Sequence, residues 1–269
     1  MKKLRRVTEA EVIAEFLKNE FYQEEFHEDR EQFEQLVLDA HISDEAGNAL
    51  RRALLFRRRG HMWRELPADT QWCEVEIEPQ DLERVRVFPR AQWRRVANGS
   101  FLLKDIVKRI RSKPFRGKTR DFIAKVQALS YYLRNHEDNS AVLLIGVDDE
   151  SPVTVLEGNH RLTAALLASP DVLQNRFRVF CGLSPAMSQS CWYQTNVPNL
   201  WRYAQNRVRN LFYDPDADVE RLMKPQAVGV ASSGKSALVA SEPTLTPVAA
   251  AAPAGATKTL TKLEVHGPQ

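Results

Sequence analysis

Pro152-Val-Thr-Val-Leu-Glu157-Gly158-Asn159-His160-Arg161-Leu-Thr-Ala-Ala-Leu-Leu-Ala168 is the stretch whose reading decides the fold. It opens on three β-branched residues, Val153, Thr154 and Val155, which favour a strand. It breaks at Gly158 and resumes as an Ala/Leu-rich helix. A strand that enters a helix through a glycine leaves the first backbone N–H groups of that helix unpaired. Together with the helix dipole, those groups attract an anion, most often phosphate. Asn159, His160 and Arg161 add side-chain donors at the same corner, and the planar arginine fork matches phosphate oxygens.

Working outward, Ala141 to Val147 is a continuous apolar run and predicts a central strand buried on both faces. Asp148-Asp149-Glu150-Ser151-Pro152 is then a turn into the strand before Gly158. A further strand follows over Phe177 to Cys181. Upstream, Cys73, Val75 and Ile77 alternate with Trp72, Glu74, Glu76 and Glu78, a half-exposed strand whose glutamates face water. Val85, Val87 and Phe88 predict a second, short strand. Residues 90–134 read as two helices, near Phe101 to Ile110 and Thr119 to Leu133.

The segment Glu157-Gly-Asn-His-Arg-Leu-Thr-Ala164, between strand and helix, resembles the signature loop of the ParB/sulfiredoxin superfamily. Members of that superfamily place a Gly-x-His-Arg or Gly-x-Arg-Arg turn before a helix and hold nucleotide phosphates with it. The resemblance spans roughly residues 73–183. It implies an α+β fold, a small mixed sheet with packed helices. It also implies a nucleotide triphosphate ligand, ATP or CTP, with Mg²⁺. Sulfiredoxins carry a cysteine where Asn159 stands, so their chemistry is not implied. ParB proteins carry Glu-Arg-Arg in the loop and a helix-turn-helix downstream, which the residues after Cys181 do not spell. The acidic-Gly-His-His-Arg loop of the superfamily's free-serine kinases is nearer, differing at Asn159.

On this reading Gly158 and the N–H groups of Asn159 and His160 cradle a phosphate and Arg161 neutralises it. His160 donates to a phosphate oxygen or transfers a proton, and Glu157 positions Mg²⁺ or activates a hydroxyl or water. The activity implied is phosphotransfer or NTP hydrolysis, with Glu157 and His160 as the catalytic pair. The same residues have plainer uses: His160 packing at a helix start, Arg161 paired with Glu157 or the Asp148-Asp149 turn, Glu157 complementing the helix dipole. A non-catalytic nucleotide-gated or nucleic-acid-binding module and an interaction scaffold are the alternatives.

Charge is distributed unevenly. Residues 1–50 hold 13 acids and 6 bases, a net of −7; residues 84–134 hold 15 bases and 2 acids, a net of +13. The basic segment suits a nucleic-acid partner, unless the acidic N-terminal part packs on it and neutralises it. Its loop Lys113-Pro-Phe115-Arg116-Gly-Lys118 sets one aromatic among cations, the composition of a stacking site or of a solvated loop whose phenylalanine caps the core.

Residues 1–70 predict a helical N-terminal subdomain with a capping box at Thr8 and Glu11. Arg57-Arg58-Arg59 reads as a solvated helix end or a phosphate grip, and nothing in this part looks catalytic. Residues 71–223 form the main domain, ending in a helix near Trp201 to Phe212 with Trp201, Ala204, Val208 and Leu211 inward. Residues 224–269, rich in Ala, Pro, Ser and Thr, predict a disordered tail. Gly229 to Ser236 spells a Walker A string but lacks the buried strand and long helix the motif needs. Three cysteines without CxxC spacing, no secretory leader and no long apolar run predict a reducing, cytoplasmic setting, no metal centre and no membrane span.

Overall fold

Six strands form one mixed sheet in the computed structural model, which describes residues 1–136, 140–169, 172, 177–209, 211–212 and 214–224. The strands are β1 (Lys2–Arg6), β2 (Gln71–Glu76), β3 (Val85–Arg86), β4 (Ala141–Gly146), β5 (Val153–Glu157) and β6 (Arg178–Leu183). Their order is β1-β2-β6-β4-β5-β3. Pairs β4/β6 and β3/β5 are parallel; the other three are antiparallel. The α+β class therefore stands.

Helices cover both faces. Helices α1 (Glu9–Glu20), α2 (Arg30–Leu38) and α3 (Glu45–Trp63) lie on one; α4 (Ala91–Ala97), α5 (Leu103–Ser112), α6 (Gly117–Asn135) and α7 (Asn159–Ala168) lie on the other. Helices α8 (Val197–Arg209) and α9 (Val219–Met223) follow. The apolar run of β4 serves both layers: Ala141, Leu143 and Ile145 join the core under α1–α3, and Val142 and Leu144 the core under α4–α7. Successive strand residues point to opposite faces, so a strand buried twice has no polar positions to offer.

The N-terminal helices share the sheet's core. Phe16, Leu17 and Phe21 pack with Leu143, Leu156 and Phe180, and each such side chain contributes about 1.5–3 kcal/mol on burial. Met1–Pro225 forms one compact unit. The Thr8 hydroxyl accepts the Glu11 N–H at 3.2 Å, half of the predicted capping box; the Glu11 carboxylate turns instead to Arg5 and Arg178, each at 3.0 Å. Residues 2–6, within the segment expected to be helical, form an edge strand.

Three further expectations are corrected. The β2 glutamates do not simply face water: Glu74 accepts from Arg178 at 3.0 Å and pairs with Arg5 at 2.7 Å, and Trp72 on the same face is buried. Residues 90–134 hold three helices, not two. Among the described side chains of α4 only Trp93, Val96 and Ala97 face the core, too short a period to stand out among its arginines. In α8 the buried face is reversed: Trp201 is 67% exposed and Val208 54%, and Leu211, past the helix end, is 81% exposed. The expected tail, from residue 225 onward and including the 229–236 string, lies outside the described residues. Among the described residues no helix is long and apolar enough to cross a membrane.

Candidate functional site

The strand–glycine–helix corner opens onto a cleft of about 580 Å³. Gly158 caps α7 in the left-handed region, φ +95° and ψ +17°. A Cβ there would come within 3.0 Å of the Val142 side chain. Both the backbone angle and the close approach to β4 therefore require glycine. The first bond of α7 runs from Leu162 N–H to Gly158 C=O. The N–H groups of Asn159, His160 and Arg161 thus begin the helix without an intrahelical acceptor.

Glu157, the last residue of β5, closes the loop on itself. Its Oε2 accepts the Gly158 N–H at 2.5 Å and its Oε1 accepts Arg161 Nη2 at 2.6 Å. The other Arg161 nitrogen donates to Asn19 Oδ1 at 3.1 Å, and Asn19 Nδ2 donates to the Ala141 carbonyl at 2.8 Å. The pairing of Arg161 with Glu157, one of the plainer uses open to it, is what forms. A carboxylate here contacts two of the donors that the sequence assigns to phosphate.

Asn159 is buried. Its Oδ1 accepts the Phe88 N–H at 3.0 Å, which fastens the segment after β3 to the start of α7. Its contribution to the corner is its backbone N–H. His160 stands exposed at the cleft edge, its ring 5.3 Å from Trp93 and 5.2 Å from Phe122. Desolvation against those two rings lowers its pKa. Glu157 opposes that shift, and Arg90 and Arg161 add to it. The imidazole is therefore neutral at neutral pH.

The remaining walls come from residues 18–25, where the sequence shows no site residues, and from Arg59 of the run read as a helix end or a phosphate grip. Lys18, Asn19 and Glu20 end α1, Gln23 and Glu25 follow it, and Arg59 reaches in from α3. Helix α3 leaves helical geometry at Arg59, φ −130° and ψ +15°. Arg59 pairs with Glu20 at 2.8 Å and Glu25 at 2.9 Å. Burial raises the pKa of Glu20, as does the charge of Glu157, against the pull of Arg59 and Arg90. Arg90 lines the cleft beside Trp93 and has no ion-pair partner among the described residues; its guanidinium sits 6.0 Å from the Phe88 ring. The signal for this wall was the acidic and basic pair spacing around 20–25 and 57–59, which reads equally well as helix-end charge.

The Lys113–Lys118 loop is not brought to this cleft. Lys113, Arg116 and Lys118 are exposed elsewhere, and Phe115 packs against the core under α4–α7, the capping role. Arg57 and Arg58 are neither solvated nor free. Both pair with the buried Asp29, and they reach Glu220 and Glu28 as well. The acids of residues 1–50 find Arg5, Arg52, Arg57–Arg59 and Arg178; among the described residues no ion pair joins them to the 84–134 segment. Nor do the described residues hold a cluster of three or more His, Cys, Asp or Glu suited to a metal ion. A Mg²⁺ arriving with phosphates needs only one or two carboxylates, and Glu157 and Glu20 line the same cleft. Compared with known proteins, the chain matches no family model, no curated protein and no solved structure.

Proposed function

We propose that this cleft binds a nucleotide by its phosphates, as the resemblance to the ParB/sulfiredoxin superfamily implies. The observation that carries the reading is the convergence of three things on one cleft. These are the first-turn N–H groups of α7, the unpaired Arg90 and the Arg161 fork. Each is an anion donor on its own, and together they match the spread charge of a di- or triphosphate. The bound phosphate takes the place of the Glu157 carboxylate on Gly158 N–H and Arg161. That exchange frees Glu157 to hold Mg²⁺ or to accept a proton from a hydroxyl or water. Neutral His160 beside it can accept a proton as negative charge arrives. The enzymatic form of the reading is therefore phosphotransfer or NTP hydrolysis, with ATP or CTP as the candidate nucleotides.

Calorimetry with ATP, CTP and GTP plus Mg²⁺ tests it. At least one nucleotide should bind, and Arg161→Ala and Arg90→Ala should each weaken it by about tenfold or more, the value of a charge-assisted contact. Nucleotide binding that neither substitution alters would place the ligand elsewhere. Phosphate release, or a phosphorylated hydroxyl product, then separates turnover from binding alone.

A second reading has its own observation. Lys108, Lys113, Arg116 and Lys118 lie exposed on α5, α6 and the loop between them, without ion-pair partners among the described residues. That band suits a nucleic-acid backbone. Duplex DNA affinity should then fall steeply with salt, and charge reversal at Lys113 and Arg116 should reduce that dependence.

A further inference from the structure

Helix α8 is turned inside out. The side chains it presents to its own protein are two asparagines and one aromatic, Tyr203, which packs on Trp192 and His61. Asn199 Nδ2 donates to the carbonyls of Gln194 at 2.7 Å and Ser188 at 3.0 Å, and Asn206 Nδ2 donates to Glu65 Oε1 at 2.6 Å. Its apolar residues point away. Val197 is 79% exposed and Leu200 45%, and just past its end Phe212 is 71% exposed, in addition to Trp201, Val208 and Leu211. On the helix the outward set Val197, Trp201, Ala204 and Val208 steps by four, three and four, the spacing of a seam that meets another helix, and Leu211 follows just past its end. Asn199 and Asn206 sit opposite that seam, which is why they are the anchored side.

The seam has a relief of its own. Ala204 forms the floor of a concavity of about 490 Å³ walled by Trp201, Val208 and Phe212. The largest knob and the smallest residue are thus one turn apart on one stripe. We infer that α8 pairs antiparallel with α8 of a second copy of this chain, each Trp201 entering the hollow over Ala204 of the other. A two-fold axis between positions 202 and 203 brings this about twice over and sets Val197 against Val208. The same register lays Arg207 beside Leu200 of the second copy, so no arginine meets an arginine across the seam. Taking roughly 150–250 Å² for a large apolar side chain, the exposed set offers on the order of 700 Å² per copy. A standard interface takes about 800 Å² per partner. A lipid surface is a poorer fit, because two of the helix's three arginines are engaged, Arg202 with Gln189 and Arg207 with the Tyr203 hydroxyl, leaving Arg209 at the edge of the concavity. Lipid-binding helices use Lys and Arg of the polar face to meet anionic headgroups.

Sedimentation equilibrium of the full chain, from micromolar to sub-millimolar concentration, tests this. The expected species has twice the 30.7 kDa chain mass. Trp201→Ala should raise the dimer dissociation constant about 30-fold or more, as loss of a central aromatic anchor does. Ala204→Trp should do the same by filling the hollow. The combined swap, Trp201→Ala with Ala204→Trp, should recover the dimer, since knob and hollow then exchange places. Unchanged melting temperatures would show that each variant folds; Leu211→Asp is a further disrupting variant at a more exposed position. A wild-type chain that stays monomeric overturns the inference, whether or not it floats with phosphatidylglycerol vesicles. So does a dimer indifferent to both single substitutions, or a swap that fails to recover it.

Discussion

At the scale of single residues, Glu157 carries the most information. It supplies an internal anion to the donors that the proposed function assigns to phosphate, so it competes with the ligand. Glu157→Gln should therefore strengthen binding of Mg²⁺-free inorganic triphosphate, by about 1–2 kcal/mol or a factor of ~5–30. The same substitution should abolish turnover if the cleft catalyses. A weaker affinity measured by calorimetry would mean that Glu157 organises the loop instead of blocking it. Gly158 is constrained twice, by a positive φ and by Val142. Gly158→Ala should cost upwards of about 1–2 kcal/mol, read as a lower urea midpoint with unchanged slope. His160 is held neutral mainly by the rings beside it. A phosphate favours its protonated form, so binding takes up a proton. Affinity for triphosphate should rise as pH drops from about 7.5 to about 6.5, and His160→Gln should flatten part of that rise.

At the scale of elements, the corner works because each piece is fixed from a different side. Strand β5 ends where Gly158 meets β4, Asn159 ties α7 to the end of β3, and Arg161 reaches Asn19 of α1, which holds β4 in turn. The strand, the glycine and the helix were legible in the sequence because their signals are local: β-branched residues, a breaker, then Ala and Leu. The walls were not. Arg59, Glu20 and Arg90 meet only through tertiary packing, and nothing in the spacing of charged residues distinguishes a cleft from a solvated helix end. Helix α8 failed for a related reason. Periodicity finds the apolar face but not which way it turns, and here two asparagines face inward. The N-terminal layer is held by Arg51 of α3, which is 2% exposed and donates to the Leu36 carbonyl at 3.0 Å, the His41 carbonyl at 2.9 Å and Asn48 Oδ1 at 2.6 Å. Arg51→Ala leaves two part-buried hydrogen bonds unmade and an empty space at a buried side chain, and should destabilise by about 3 kcal/mol. Since α1 and α3 wall the cleft, nucleotide affinity should fall with it.

At the scale of the whole molecule, a sheet between two helical layers puts the candidate cleft where both layers meet the C-terminal end of β5. One stability curve reports on both. His61 is pushed below the ordinary imidazole pKa of 6.5 chiefly by burial and His160 by desolvation against the Trp93 and Phe122 rings, with neighbouring arginines adding to both and Glu157 opposing the shift of His160. The unfolded chain therefore binds more protons there, and stability should fall as pH drops below about 6.5. Glu11 is held below the usual carboxylate range by its bond from Arg5, against burial and with help from Arg178. Its contribution is present above about 4.5 and is lost as pH falls further. A melting curve against pH should show two descending limbs, and replacing both histidines by glutamine should remove the upper one.

Amide hydrogen exchange at residues 158–161, with and without saturating ATP or CTP and Mg²⁺, tests the phosphate-binding corner most directly. Binding there predicts strong slowing at the first-turn amides of α7 while the α6 surface is unchanged. Unaltered exchange at those amides in the presence of every nucleotide tried would contradict it.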